Sequence, residues 1–325
     1  MAIRIRRREF IVTLSSATTA WPLVARTQQP KVPTIGALVI GNINPEQFWR
    51  EFRQGLRDLG YVEGQNIRFE FRSAEGHLER LPELANELVR LKVDIIVTWF
   101  TPTAVAAKQA THEIPIVMAE TGDPIGTGLV ASLPRPGGNV TGMASVTAEL
   151  AGKSVQLIRE MLPSARRVTA LANATDPFSK PFLEQIKLGG EATGTTINAI
   201  GVSGNEEFET AFAGMEQDRP DALIVQPSLP TKRAAELAVK HRVPAVSVPR
   251  WFAEEGGLMA YSARYVELFR EAAVFVDKIL KGAQPADLPV EQPIHFELVI
   301  NLRTAKALGL TIPQSFLLRA DALIE

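Results

Sequence analysis

Two short segments of the chain set charge or dipole beside aromatic rings. Trp99-Phe100 runs into Thr101-Pro102-Thr103, and Val248-Pro249 runs into Arg250-Trp251-Phe252. Threonine caps helix starts well and proline suits the first turn, so Thr101-Pro102 predicts a helix beginning there. The free N–H groups of such a start carry a partial positive charge that attracts an anion, although the same pattern also caps ordinary surface helices. Arg250 can hold a carboxylate through two parallel hydrogen bonds, or be spent on a surface pair with Glu254 or Glu255. With Trp99, Phe100 and Trp251 exposed beside these groups, the chemistry is that of binding a small carboxylate with an apolar or aromatic body. Asn42 and Asn44 are further polar candidates.

Bond-making chemistry has no comparable signal. His77, His112, His241 and His295 show no metal-ligand spacing. There is no P-loop and no G-x-S-x-G elbow. Gly126-Thr127-Gly128 lacks the third glycine and the preceding strand of a dinucleotide site. The absence of cysteine removes disulfides, cysteine-ligated zinc and iron–sulfur clusters. No catalytic residue, metal or cofactor is expected. Thirty-five basic residues face 36 acidic ones, with no basic tract after residue 8, which argues against nucleic acid or an acidic membrane surface as partner.

The elements that must position these residues alternate. Apolar runs at 34–40, 67–71, 94–98 and 115–119 predict strands, and the amphipathic stretches 47–59, 78–91 and 104–111 predict helices. Such alternation points to parallel sheets covered by helices on both faces. The second half repeats the plan of the first. Asp94-Ile-Ile-Val97 and Pro115 have counterparts in Asp221-Ala-Leu-Ile-Val225 and Pro244, at offsets of 127 and 129 residues. Two α/β lobes of similar design are expected, with ligand sites at the carboxyl ends of strands in the crevice they share.

Residues 1–27 read as an export leader. Arg7-Arg8 precedes Phe10-Ile11, a mildly apolar run extends to Ala25, and small residues follow, in the pattern of a twin-arginine signal cleaved near residue 27. The run is too short and too rich in hydroxyls to span a bilayer stably.

Several phrases resemble one family. They are Gly55-Leu-Arg-Asp-Leu-Gly-Tyr-Val-Glu-Gly-Gln-Asn66, Gly122-Asp-Pro-Ile-Gly-Thr-Gly-Leu-Val-Ala-Ser132, Arg135-Pro-Gly-Gly-Asn-Val-Thr-Gly142, Phe296-Glu-Leu-Val-Ile-Asn-Leu302 and Ala305-Lys-Ala-Leu-Gly-Leu-Thr-Ile-Pro313. From about residue 32 onward the chain is similar to the ABC-transporter substrate-binding proteins that include bacterial tryptophan and tyrosine binders. The resemblance implies a type I periplasmic binding fold of two Rossmann-like lobes, no catalysis, a small-molecule ligand, a permease as partner, and a monomer in the periplasm. It implies a first lobe of residues 32–147 plus 257–293 and a second of 148–256 plus 294–325. Its cleft loops fall on Gly41 to Asn44, Trp99 to Thr103, Glu120 to Asp123, Asn173 to Ser179, Gln226 to Ser228 and Arg250 to Phe252. Within them the candidate contacts are Asn42, Asn44, Trp99, Phe100, Thr101, Thr103, Glu120, Thr121, Asn173, Phe178, Gln226, Ser228, Arg250 and Trp251. Gln226-Pro227-Ser228 holds no acid where the amino-acid binders offer one, which sets this chain apart from them. A secreted enzyme and a sensor-type ligand-binding module are the alternative classes.

Overall fold

The computed structural model describes residues 32–41, 45–203 and 205–325; the leader expected over residues 1–27, Asn42 and Asn44 lie outside them. The first half runs β1 (Thr34–Val39), α1 (Pro45–Asp58), β2 (Arg68–Ser73), α2 (Leu81–Arg90), β3 (Ile95–Trp99), α3 (Thr101–Ala110), β4 (Ile116–Gly122) and β5 (Val140–Ser145). The second runs α4 (Thr147–Met161), β6 (Arg167–Asn173), α5 (Ser179–Thr193), β7 (Thr196–Val202), α6 (Asn205–Asp218), β8 (Ala222–Val225), α7 (Thr231–Lys240), β9 (Ala245–Ser247), α8 (Arg250–Glu254) and β10 (Met259–Ala263). The chain ends with α9 (Tyr265–Leu280), β11 (Phe296–Asn301), α10 (Leu302–Leu308), α11 (Gln314–Leu317) and β12 (Ala322–Ile324).

The strands form two sheets. One is parallel, in the order β2-β1-β3-β4-β5; the other has the order β12-β11-β10-β9-β8-β6-β7. β3 and β4 are buried along their whole length, as expected of central parallel strands covered on both faces. In α1, Phe48, Phe52 and Leu56 recur every four residues, fall on one face, and enter the first core beside Phe269 and Ala273 of α9. The 127-residue repeat has a physical basis. Asp94 Oδ2 accepts from Thr34 N at 2.8 Å, and Asp221 Oδ2 accepts from Arg167 N at 2.8 Å. Each aspartate thus ties the start of its strand to the start of a neighbouring one.

Two features depart from the sequence expectation. β10 and β11 pair antiparallel in an otherwise parallel sheet, because β11 arrives from the other lobe without a crossover helix of its own. The boundary expected at residue 257 also moves. Met259–Ala263 pairs with β9 and β11 in the second sheet, so the chain leaves that lobe only after Ala263. A short apolar strand looks the same whichever sheet it joins.

α4 and α5 cross without side chains between them. A Cβ on Gly189 would stand 2.4 Å from Gly152 O, and one on Gly152 would stand 2.7 Å from Gln185 O. Gly189→Ala gains helix propensity of up to about 1 kcal/mol, but the backbone contact forces the helices apart at a cost of about 1–3 kcal/mol. A lower thermal midpoint is expected. An unchanged or higher midpoint in calorimetry would show that the crossing is loose.

Candidate functional site

The carboxyl ends of the two sheets face each other, and one small cavity lies between them. Phe100 and Thr101 come from the end of β3, Glu120 and Gly122 from β4, and Thr147 from the start of α4. Asp176 and Phe178 come from the loop after β6, and Pro227 and Ser228 from the loop after β8. The cavity measures about 10 Å³, the space one water needs. A second cavity of about 340 Å³ shares Phe178 and is lined also by Ile125, Leu133, Ser145 and Ala148. That volume suits a small organic molecule.

The approach of the lobes is set by Gly122. A Cβ there would meet the Phe178 ring at 2.3 Å, so only glycine admits the ring against the end of β4. Nearby, Trp251 of α8 packs edge-on to Trp99 with ring centroids 5.6 Å apart, and against Tyr265 at 4.7 Å. Trp251 is thereby part of the first lobe's core although its helix belongs to the second sheet.

Two carboxyl groups meet at this seam. Asp176 Oδ2 accepts from Ser228 Oγ at 2.6 Å and from Gln226 Nε2 at 2.9 Å, and its Oδ1 accepts from Phe178 N at 2.8 Å. Gln226 is itself held, because its Oε1 accepts from Asn173 N at 2.9 Å and Ser179 Oγ at 2.8 Å. Glu120 is 2 % exposed; its Oε1 accepts from Thr147 Oγ1 at 3.2 Å, and its Oε2 has no partner. Burial pushes the Glu120 carboxyl up to about 7, against the pull of the Ser145 and Thr147 hydroxyls and with the charge of Asp176 adding to the rise. Burial pushes Asp176 upward too, and its three donors work the other way.

Phe100 adopts φ 73°, a left-handed conformation that costs a bulky residue on the order of 1–3 kcal/mol and gathers at functional sites. It is held by its N–H donating to Glu120 O at 2.8 Å and its carbonyl accepting from Thr103 Oγ1 at 2.8 Å.

Comparison with known proteins follows this geometry. The family model of the ABC transporter substrate binding protein matches residues 46–324. The chain belongs to that family. It is 27% identical over 292 residues to a tyrosine-binding protein of Clostridioides difficile, covering 88% of this chain and 83% of the relative. It is similar to the ABC domain of Streptococcus pneumoniae solved in complex with L-Trp, with TM-score 0.84, 29% identity, and coverage of 90% of this chain and 99% of that one. A conserved domain protein from Vibrio cholerae is as close in fold, with TM-score 0.84 at 26% identity, covering 90% of this chain and 100% of that one. The family description, the tyrosine-binding relative and the domain solved with L-Trp point to substrate binding rather than catalysis, in keeping with the role expected from the sequence.

In this substrate-binding protein the sequence-derived candidates separate into three groups. Phe100, Thr101, Glu120, Phe178 and Ser228 line the small cavity. Gln226 and Asn173 stand behind it, one aligning Asp176 and the other folding the loop through Thr175 N to its Oδ1. Trp99, Thr103, Thr121 and Trp251 are buried around the seam without lining the cavity.

Three expectations are corrected. Trp99 and Phe100 are 2 % and 7 % exposed, Trp99 packed among Phe48, Phe269 and Trp251. Thr101 is not the N-cap: that position is Phe100, and the Thr101 hydroxyl instead exchanges hydrogen bonds with the N–H and carbonyl of Gly122, both at 3.1 Å. Arg250 is not the carboxylate anchor. It donates to Glu254 at 2.8 Å and to Glu297 at 2.7 Å, in a separate pocket of about 310 Å³. Its Nε and one Nη1 donor are engaged by these two carboxylates, which already balance its charge.

Sequence reasoning missed Asp176, Ser145 and Thr147. By the internal repeat the loop after β6 is the counterpart of the loop after β1, a signal that directs attention to Asp176.

Gly122→Ala should hold the lobes apart while leaving each core intact. The thermal midpoint should change little. Trp99 and Trp251 should gain water contact, so fluorescence should shift to longer wavelength and the radius of gyration should rise. An alanine variant with unchanged emission and scattering would mean that Phe178 swings aside freely.

Proposed function

We propose that this protein is the exported solute-binding component of an ABC importer, capturing a small organic molecule between its lobes and handing it to a membrane permease. The observation that carries the reading is the cleft. Loops from the carboxyl ends of both sheets meet around one buried, partly polar cavity, and a larger cavity adjoins it. Phe100 and Phe178 offer apolar surface for an aromatic or aliphatic body. The names of the relatives, a tyrosine-binding protein and a domain crystallised with L-Trp, support a ligand of that size. Arg250, engaged elsewhere, lends no support to a carboxylate anchor. Binding proceeds by hinge closure, one lobe taking the ligand first and the other completing the contacts. The permease then distinguishes the closed from the open form.

The leader expected over residues 1–27 supports export. Replacing Arg7 and Arg8 with lysine should leave uncleaved precursor in the cytoplasm, as judged by fractionation and immunoblotting. Normal export of the double variant would rule out the twin-arginine route.

Ligand capture should stabilise both lobes together. At 100 times the dissociation constant a ligand adds about 2.7 kcal/mol, a melting shift of roughly 5–11 °C for domains of this size. A solute screen should contain such a hit, and small-angle scattering with it should show the lobes drawn together. A screen in which no solute class shifts the midpoint would sink the binding function.

A further inference from the structure

The second lobe has a further cavity at the amino ends of its strands, the end of the sheet away from the cleft. It measures about 510 Å³, which is within the range of small-molecule sites. The start of β6, the link from α6 to β8 and the link from α7 to β9 enclose it. Each of the three brings positive charge: Arg167 from the first, Arg219 from the second, Lys240 and Arg242 from the third. Phe212, Met215 and Val243 give the same cavity an apolar wall.

The acids that line it are already engaged. Asp221 Oδ2 accepts from Arg166 N at 2.7 Å and from Arg167 N at 2.8 Å. Glu216 Oε1 lies 2.8 Å from His241 Nδ1. Lys240 pairs with Glu209 at 3.5 Å. Among the described residues, no ion pair or hydrogen bond engages the guanidinium of Arg219 or of Arg242. Both arginines also take left-handed backbone, at φ 33° and 55°, where glycine or asparagine is the less costly residue. Cations near the ends of α6 and α7 gain from the helix dipoles. That accounts for their sign, but not for arginine at two strained positions. His241 adds a second observation, because its ring lines the cavity and its Nε2 is buried without a partner. A buried polar atom of this kind costs free energy until a partner meets it.

We propose that this cavity binds a small phosphate ester, its phosphate held by Arg219 and Arg242 and its organic body lying against Phe212, Met215 and Val243. Guanidinium forks on two separate loops reach one ligand from two sides. That suits a tetrahedral group with three or more oxygens better than a flat carboxylate, whose two oxygens face a single fork. Arg167 and Lys240 add positive potential at the rim. A ligand oxygen would also serve His241 Nε2 as acceptor. All these residues belong to one lobe, so the site fills independently of the cleft. The same chemistry is offered by soluble phosphate esters and by phospholipid headgroups.

The test is titration calorimetry of the full chain at low ionic strength with inorganic phosphate, glycerol 3-phosphate, phenyl phosphate and benzoate. Sedimentation with vesicles of phosphatidylglycerol, and of phosphatidylcholine as control, runs beside it. One ester should bind per chain, more tightly than inorganic phosphate and at least about tenfold more tightly than benzoate. Arg219→Gly and Arg242→Gly should each weaken that binding about three- to tenfold, and the double variant should lose it. Glycine suits both backbone positions, so the thermal midpoint should hold. Arg219→Gln with Arg242→Gln removes the same charges while keeping side chains in place, and should lose the binding too. Binding of a soluble ester assigns a free ligand. Sedimentation with phosphatidylglycerol alone, lost in the double variants, assigns a headgroup. If neither esters nor phosphatidylglycerol bind, if benzoate binds as tightly as the esters, or if the double variants bind like wild type, the proposal is overturned and the reading of the cleft stands untouched.

Discussion

The distance to which two sheet ends can approach one another governs this molecule, and Gly122 against Phe178 is where that distance is set. A missing Cβ lets an aromatic ring rest on the end of a strand, and everything nearby takes its position from that contact. Two residues upstream on each side lie Glu120 and Asp176. The Thr101 hydroxyl, bonded to both the N–H and the carbonyl of Gly122, keeps the strand end in place. The start of α3, the end of β4 and the loop after β6 are thereby registered against one another by two side chains, Thr101 and Phe178, that meet at one glycine.

The scaffold beneath this contact is built to be rigid. Central parallel strands are buried on both faces, and an aspartate at the start of β3 and another before β8 tie neighbouring strands at their amino ends. Motion is left to the places where the chain passes between the sheets. Trp99, Trp251 and Tyr265 form an aromatic seam at that boundary, and neither indole N–H has a hydrogen-bond partner. Donors left unsatisfied on closing make the closed seam less favourable than its apolar area alone would give. The proposed hinge closure benefits from that balance, since a seam too stable would not reopen.

The electrostatics of the cleft follow from the same economy of contacts. Asp176 is surrounded by donors, whereas Glu120 has one oxygen satisfied and one bare. No described residue lining the cavity carries a positive charge. Arg250, the most conspicuous cation in the sequence near the expected cleft, is occupied by Glu254 and Glu297 beside the seam.

Much of the architecture was legible from the chain alone. The alternation of apolar runs and amphipathic stretches, the aspartate and proline repeat, and the family phrases prescribe two parallel α/β lobes with a cleft at their strand ends, because side-chain period and strand-start hydrogen bonding are local properties. The cleft loops were legible for the same reason. What local pattern does not carry is which side chains in a loop turn inward. Trp99 read as exposed because Phe48, Trp251 and Phe269, which pack against it, are all distant from it in sequence. Arg250 read as an anchor because Glu297, its partner on β11, arrives only with the returning strand. Asp176 was contained in the expected cleft loop Asn173 to Ser179 without being singled out, and Glu120 was one candidate contact among fourteen. Only the tertiary structure brings these two acids into one cavity, since their meeting depends on a glycine in one lobe and a ring in the other.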